Sequence, residues 1–489
     1  RILPRRKRYV KTEQGIRQYH FLEDNADTER KENRYLKDQN GCVVTASLAS
    51  KMMTLVITRM AALDPYGMGL EMEGGKPGWY DALNGLPGLL GSSMSETYEL
   101  LRCAAFLIES LEKTEKSMIL LEETAGLAGA VCRAGQQFHK ELAEGTSAAG
   151  FWNAVNDAKE HFWDTTSREV SGERVTWEAQ ETVRVLTQFS DILRMGIRKA
   201  ARLGRTVRPT YFYYEVTEWK EEPDGILPQA FRVHNTPDFL EGSVHYMKIA
   251  ADEEERKAVY ESVRASRLYD DALSMYKVNA SLSETTFELG RACAFTPGWL
   301  ENESVWLHME YKYLLELLKA GMYQEFTEDF HKAAVPFLNE EQYGRSLLEN
   351  SSFIASSANP NPRYHGKGFV ARLSGSTAEF LEMWEIMMFG KQPFSIRDGK
   401  LELSFEPCFP EYLTGEEKTI TATFLGSVPV TYELPEQRAV LPGTYTVEQI
   451  TVETEQGEAS FSRTVTGPAA ELVREGRVRS ITVSLTGKL

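Results

Sequence analysis

Ser93-Met94-Ser95-Glu96-Thr97-Tyr98-Glu99-Leu100-Leu101-Arg102-Cys103-Ala104-Ala105-Phe106-Leu107 opens as a helix start and continues as one apolar stripe. A serine hydroxyl three residues before a glutamate satisfies two of the N–H groups that a helix start leaves free. Apolar residues at Leu100, Cys103, Ala104 and Leu107 then fall on one face. The stretch predicts a helix from Ser95 to Glu112. A second helix is predicted from Ser304 to Ala320, on the stripe Val305, Met309, Leu314, Leu317 and Leu318, with Gly321 as its stop. Similar spacing predicts helices near 46–63, 114–142, 175–202, 251–271, 322–333 and 376–388. Residues 1–395 therefore predict a mainly α region, with no repeat of fixed period.

Loops interrupt these helices at Gly74-Gly75-Lys76-Pro77-Gly78 and at Asn359-Pro360-Asn361-Pro362. From Arg205 to Pro237 the chain is rich in aromatics, proline and turn residues, and no helix is predicted there. After Lys391 the texture changes. Thr419-Ile420-Thr421-Ala422-Thr423-Phe424 and Ser480-Ile481-Thr482-Val483-Ser484-Leu485 alternate with a period of two, and Gly426, Pro442-Gly443, Gly457 and Gly476 separate the runs. Residues 396–489 predict a small antiparallel β-sandwich.

The 489 residues carry a net charge of −16, which argues against nucleic acid as the main partner. No apolar run is long enough for a membrane span; the best, Met52 to Leu63, is broken by Arg59. Five widely spaced cysteines without a C-x-x-C pair fit reduced thiols in a cytoplasmic protein. Eight scattered histidines show no metal-ligand spacing, and no phosphate-loop or dinucleotide motif is present, so no cofactor is expected.

Three segments have the residue types for chemistry on a sugar. In Gly78-Trp79-Tyr80-Asp81-Ala82-Leu83-Asn84-Gly85 an indole stands two residues before a carboxylate. Sugar C–H faces pack on indoles, and a carboxyl held against an apolar wall stays protonated, as a general acid must. An ordinary turn with a surface aspartate fits the same pattern. In Glu301-Asn302-Glu303-Ser304-Val305-Trp306-Leu307-His308, Glu301 and His308 stand seven apart. That is two helical turns if the helix starts early enough, although a half-buried structural histidine would read alike. Ser374-Gly375-Ser376-Thr377-Ala378-Glu379 fits a second capping box. A helix start with small hydroxyl residues suits a phosphate, and suits equally a helix with no ligand.

In their order and spacing the three segments resemble the cellobiose phosphorylase family of inverting glycoside phosphorylases and its larger β-glucan relatives. Pro77-Gly78-Trp79-Tyr80-Asp81 matches the family's Trp-x-Asp loop, Glu301 to His308 its Glu-to-His segment, and Ser374 to Phe380 its phosphate segment. The resemblance implies an (α/α)6 barrel, incomplete in this chain, followed by the β-sandwich. It implies Asp81 as general acid, and Trp79, Tyr80, Glu301 and Glu303 at the sugar. His308, Arg372, Ser374, Gly375 and Ser376 would hold inorganic phosphate, the co-substrate. The chain departs from the family pattern at Tyr80 and at Glu379-Phe380. Only 80 residues precede Asp81, fewer than the family places there, so a companion N-terminal segment or chain is expected to complete the barrel. Homo-oligomers are common in the family.

The implied reaction is phosphorolysis of a β-linked gluco-oligosaccharide. Asp81 protonates the glycosidic oxygen and phosphate attacks the anomeric carbon from the opposite face, giving an α-sugar 1-phosphate. An inverting hydrolase would instead need a carboxylate base, for which Glu301 and Glu303 are available. A non-catalytic carbohydrate-binding subunit is the third expectation.

Overall fold

The computed structural model describes residues 2–22, 35–144, 147–204, 206–370, 374–416, 418–435 and 439–488, with the backbone alone at 374–375. Helix accounts for 42% and strand for 24% of the chain, so the expectation of a mainly α protein gives way to a mixed one. Two compact units form, each discontinuous in sequence. The first comprises Arg1–Ala272, Tyr276–Trp306 and Ala355–His365; the second comprises Leu273–Met275, Leu307–Ile354 and Gly366–Leu489. Residues 307–354 and 366–395 thus group with the C-terminal strands.

In the first unit the principal helices are Leu48–Met60, Met94–Thr114, Glu122–Gln137, Ala149–Thr166 and Ala179–Leu203. Ser93 Oγ accepts the Glu96 N–H at 3.4 Å, as the capping box requires, and Tyr98, Leu101, Ala104, Leu107 and Leu111 form the buried face. The helix predicted over 114–142 is interrupted: Glu115 turns left-handed at φ 50°, and Met118–Leu121 pairs antiparallel with Arg174–Trp177 before helix resumes at Glu122. The stretch after Arg205, which carries no helix signal, is a long hairpin, Tyr211–Glu222 against Gly225–Asn235. Its aromatic and β-branched residues suit a half-buried pleated surface. Packing between elements is close. A Cβ on Gly196 would fall 2.1 Å from the Gly67 carbonyl oxygen, so the longest helix lies directly on the 64–69 loop.

That loop is built around the buried carboxylate of Asp64. One oxygen accepts the N–H groups of Tyr66 at 3.0 Å and Met68 at 2.9 Å. The other accepts Gly69 N–H at 2.6 Å, Ser92 Oγ–H at 2.8 Å and Tyr214 O–H at 2.6 Å. Burial raises the proton affinity of Asp64, and these hydrogen bonds oppose the rise. The carboxylate therefore ties the 64–72 segment to the hairpin and to the start of the Met94–Thr114 helix.

In the second unit Leu307–Lys319 and Tyr323–Ala333 form a helical hairpin turned at Gly321, which has φ +79°. The helix Ser374–Phe389 follows later in the chain. The strands make a five-stranded sheet, in the order Thr419–Phe424, Val428–Glu433, Ser480–Gly487, Tyr445–Thr454, Gly457–Phe461, and a three-stranded sheet of Phe394–Arg397, Lys400–Leu403 and Val465–Thr466. Leu401, Leu403 and Val465 of the small sheet share one core with Val430, Tyr432, Ile450, Val452, Ile481 and Val483 of the large one. The expected antiparallel sandwich needs one correction: Val428–Glu433 and Ser480–Gly487 run parallel. Strands that run parallel need a long crossover between them, and here the intervening residues supply three further strands and the helix Pro468–Arg474.

Candidate active site

The Trp79-Tyr80-Asp81 segment sits in the first unit and leads into two short turns. Asp81–Leu83 forms a 3₁₀ turn, and Leu83 N–H closes on the Tyr80 carbonyl at 3.0 Å. The next turn is anchored far along the chain, with Gly85 N–H on the Leu289 carbonyl at 3.1 Å and Arg291 N–H on Asn84 Oδ1 at 3.0 Å. A Cβ at Gly85 would lie 1.9 Å from the Glu288 carbonyl oxygen, so only glycine allows this approach. The Trp79 indole is 41% exposed, and Asp81 is exposed beside it.

Tyr80 has a different place from the one its neighbours suggest. It is buried, its ring lies edge-on to Phe239 at 5.3 Å, and its hydroxyl donates to the Glu301 carbonyl. Asn279 braces the same junction: its amide donates to Tyr80 Oη and to the Glu301 carbonyl, both at 3.1 Å, while its Oδ1 accepts Glu303 N–H at 2.6 Å. Asn279 is in turn bridged to Phe239. Tyr80 is thus a strut and not a sugar-facing ring. Asn279, which no sequence pattern singled out, is the hub of the junction.

The helix expected from Ser304 does not start early enough to take in Glu301. The helix begins at Leu307, and Glu301 stands in an irregular loop flanked by Leu300 at φ 50° and Glu303 at φ 57°. Left-handed backbone at non-glycine residues with bulky side chains costs energy and gathers at functional loops. Buried polar contacts hold it: Ser304 Oγ–H donates to the Leu300 carbonyl, and Asn302 Nδ2 donates to the Phe295 carbonyl at 2.8 Å. Glu303 is buried, and Lys277 Nζ lies 3.2 Å from its carboxylate, so its charge is already paired.

Asp81 and Glu301 interact. Burial raises the Glu301 carboxyl above the usual carboxylate range and the Asp81 charge adds to the rise, while Glu301's own N–H and Arg291 oppose it. The Glu301 environment favours the protonated form. A further carboxylate, the buried Glu241, takes a hydrogen bond from Tyr211, and burial raises its proton affinity as well. Two interacting carboxyl groups next to an exposed indole can deliver a proton to an oxygen leaving group on a bound sugar.

His308 and Ser376 lie in the second unit. Ser376 is fully buried in the first turn of the Ser374–Phe389 helix. Because that helix starts at Ser374, Glu379 does not close the expected capping box with Ser376. Glu379 instead lies 3.3 Å from His308 Nε2 and 3.2 Å from Lys312 Nζ. Burial works against its charge, but the His308 hydrogen bond and the Lys312 charge prevail and hold the Glu379 carboxyl below the usual range. The Ser374 side chain, and Arg372 altogether, lie outside what is described, and Gly375 is placed by its backbone alone.

Neither a protein-family model nor a curated protein matches the chain. Among solved structures, it is similar to the GH63 mannosylglycerate hydrolase from Thermus thermophilus in complex with glucose. The TM-score is 0.21 at 12% identity, covering 69% of this chain and 95% of that one. An overlap of that size does not carry a fold assignment. Among the described residues no helix is long and apolar enough to cross a membrane, and no group of acidic, histidine or cysteine side chains could hold a metal ion.

Proposed function

We propose that the chain cleaves a β-linked gluco-oligosaccharide by inverting phosphorolysis, within an (α/α)6 barrel completed by a companion N-terminal segment or chain. The observation that carries the reading is the carboxyl pair Asp81 and Glu301, held by Tyr80 and Asn279 beside the exposed Trp79 indole. Asp81 protonates the glycosidic oxygen, and Trp79 and Glu301 hold the sugar. Inorganic phosphate, the co-substrate, displaces the leaving group and yields an α-sugar 1-phosphate. His308, Arg372 and the 374–376 segment are the residues proposed for the anion. No base is required, because phosphate arrives as an anionic nucleophile.

One observation favours hydrolysis on the same carboxyl pair: Glu379 already places a carboxylate on His308 and Lys312, donors a phosphate would use. Phosphorus NMR of β-gluco-oligosaccharides incubated with the chain, with and without phosphate, separates the two. Phosphorolysis produces a sugar 1-phosphate resonance and requires phosphate. Sugar release at the same rate in both samples replaces the proposal with hydrolysis. Oligosaccharide binding with no turnover in either sample, with or without added N-terminal partner, replaces it with a binding role.

A further inference from the structure

The chain has 71 acidic against 55 basic residues, yet one cavity in the strand region of the second unit reverses that balance. Its volume is about 560 Å³, and Lys391, Arg463 and Lys488 line it against a single acidic side chain, Glu406. The hydroxyls of Ser404 and Thr464 also line it. These residues come from distant parts of the chain. Lys391 follows the Ser374–Phe389 helix, Arg463 and Thr464 precede the strand Val465–Thr466, and Lys488 follows the last strand. Lys391 Nζ also donates to the Lys319 carbonyl at 3.1 Å. Val447, on the wall, adjoins a register shift between Val447 and Gln449 in the strand Tyr445–Thr454. Such shifts are frequent where a sheet is bent to shape a site.

We propose that this cavity binds a monosaccharide-sized ligand bearing a phosphate or carboxylate group. Three cations against one anion select negative charge, and Arg463 offers the fork of donors that matches either oxyanion. The volume lies in the range of small-molecule sites and exceeds what a bare oxyanion fills. The hydroxyls serve the uncharged part of the ligand. Neither Asp81 nor Glu301, which belong to the first unit, lines this cavity, and the proposal stands whichever reaction those carboxyls perform.

The test is calorimetric titration of the full chain with glucose 6-phosphate, glucuronate, glucose and inorganic phosphate. The same titrations are repeated on Arg463→Glu and Lys488→Glu, whose side chains are exposed, with circular dichroism as the check on folding. At least one anionic sugar binds, glucose does not, and each charge reversal weakens binding about tenfold or more. Binding of glucose 6-phosphate alone assigns a phosphorylated sugar, and binding of glucuronate alone assigns an acidic one. The proposal is overturned if neither anionic sugar binds at about 10 mM. It is equally overturned if glucose or bare phosphate binds as tightly, or if both folded variants bind unchanged.

Discussion

The Tyr80 hydroxyl donates to the backbone carbonyl of Glu301, joining two segments 221 residues apart in the chain. Through that bond the loop bearing Trp79 and Asp81 is set against the loop bearing Glu301. Asn279 closes the triangle, with hydrogen bonds to both partners. The spacing of two carboxyl groups therefore rests on a buried phenol and a buried amide.

Tyr80→Phe removes the bond and leaves the Glu301 carbonyl with Asn279 as its remaining partner. The expected cost is about 1–2 kcal/mol of stability for the lost buried hydrogen bond. Turnover should fall by more than substrate affinity, because the relative placement of Asp81 and Glu301 loosens while Trp79 remains. Thermal unfolding and steady-state kinetics check both; a variant with wild-type turnover shows that the strut does not position the pair.

Asp81 is exposed and takes no part in the Tyr80–Asn279 junction. Asp81→Asn should leave the melting temperature near that of the parent and reduce the rate by about 10²–10⁴-fold, the range of general acid catalysis. Glu301→Gln is the companion measurement. If Glu301→Gln abolishes the alkaline-side limb of the pH–rate profile, which a proton donor sets by losing its proton, and Asp81→Asn keeps near-normal turnover, the proton donor is Glu301.

Glu379 occupies His308 and Lys312, so its removal should open an anion site. Under phosphorolysis, Glu379→Gln lowers the Michaelis constant for phosphate several-fold and His308→Ala raises it. Initial rates against phosphate concentration read both effects directly. A Glu379→Gln enzyme with an unchanged phosphate constant would reduce the contact to a link between two helices.

Glu99 joins Lys248 at 2.7 Å, His245 at 2.8 Å and Arg102 at 2.7 Å. Burial works against its charge, but these three partners prevail and hold its carboxyl far below the usual carboxylate range. A depressed folded-state value stabilises the fold above the unfolded value and loses that contribution as pH falls towards the folded one. Wild type should therefore be more stable than Glu99→Gln at neutral pH. The difference between their melting temperatures should shrink as pH drops below about 4, where an unfolded glutamate takes up its proton. A difference that stays constant down to about pH 2 would mean that the cluster does not depress Glu99.

Helix positions were legible where a cap and a stripe coincided, as at Ser93 to Leu111, because those signals act between residues three and four apart. The hairpin Tyr211–Asn235 was legible only as an absence of helix, since strand pairing with bulges leaves no fixed period. Asp81 and Glu301 were legible as residue types. Their approach was not, and Tyr80 was misplaced, because a phenol beside an indole looks the same whether it faces a sugar or a buried carbonyl.

Sequence by itself determined which residue types are available for chemistry on a sugar, the helix starts with strong local caps, and the change from helical to strand texture near 395. Those properties live in side-chain type and in contacts a few residues apart. Tertiary structure decided that Glu301 lies on a strained loop and not on the His308 helix, that Glu379 pairs with His308, that one strand pairing is parallel, and that three cations line one cavity. Each of these depends on contacts between residues tens to hundreds of positions apart, and such contacts are fixed by packing and burial, which local patterns do not record.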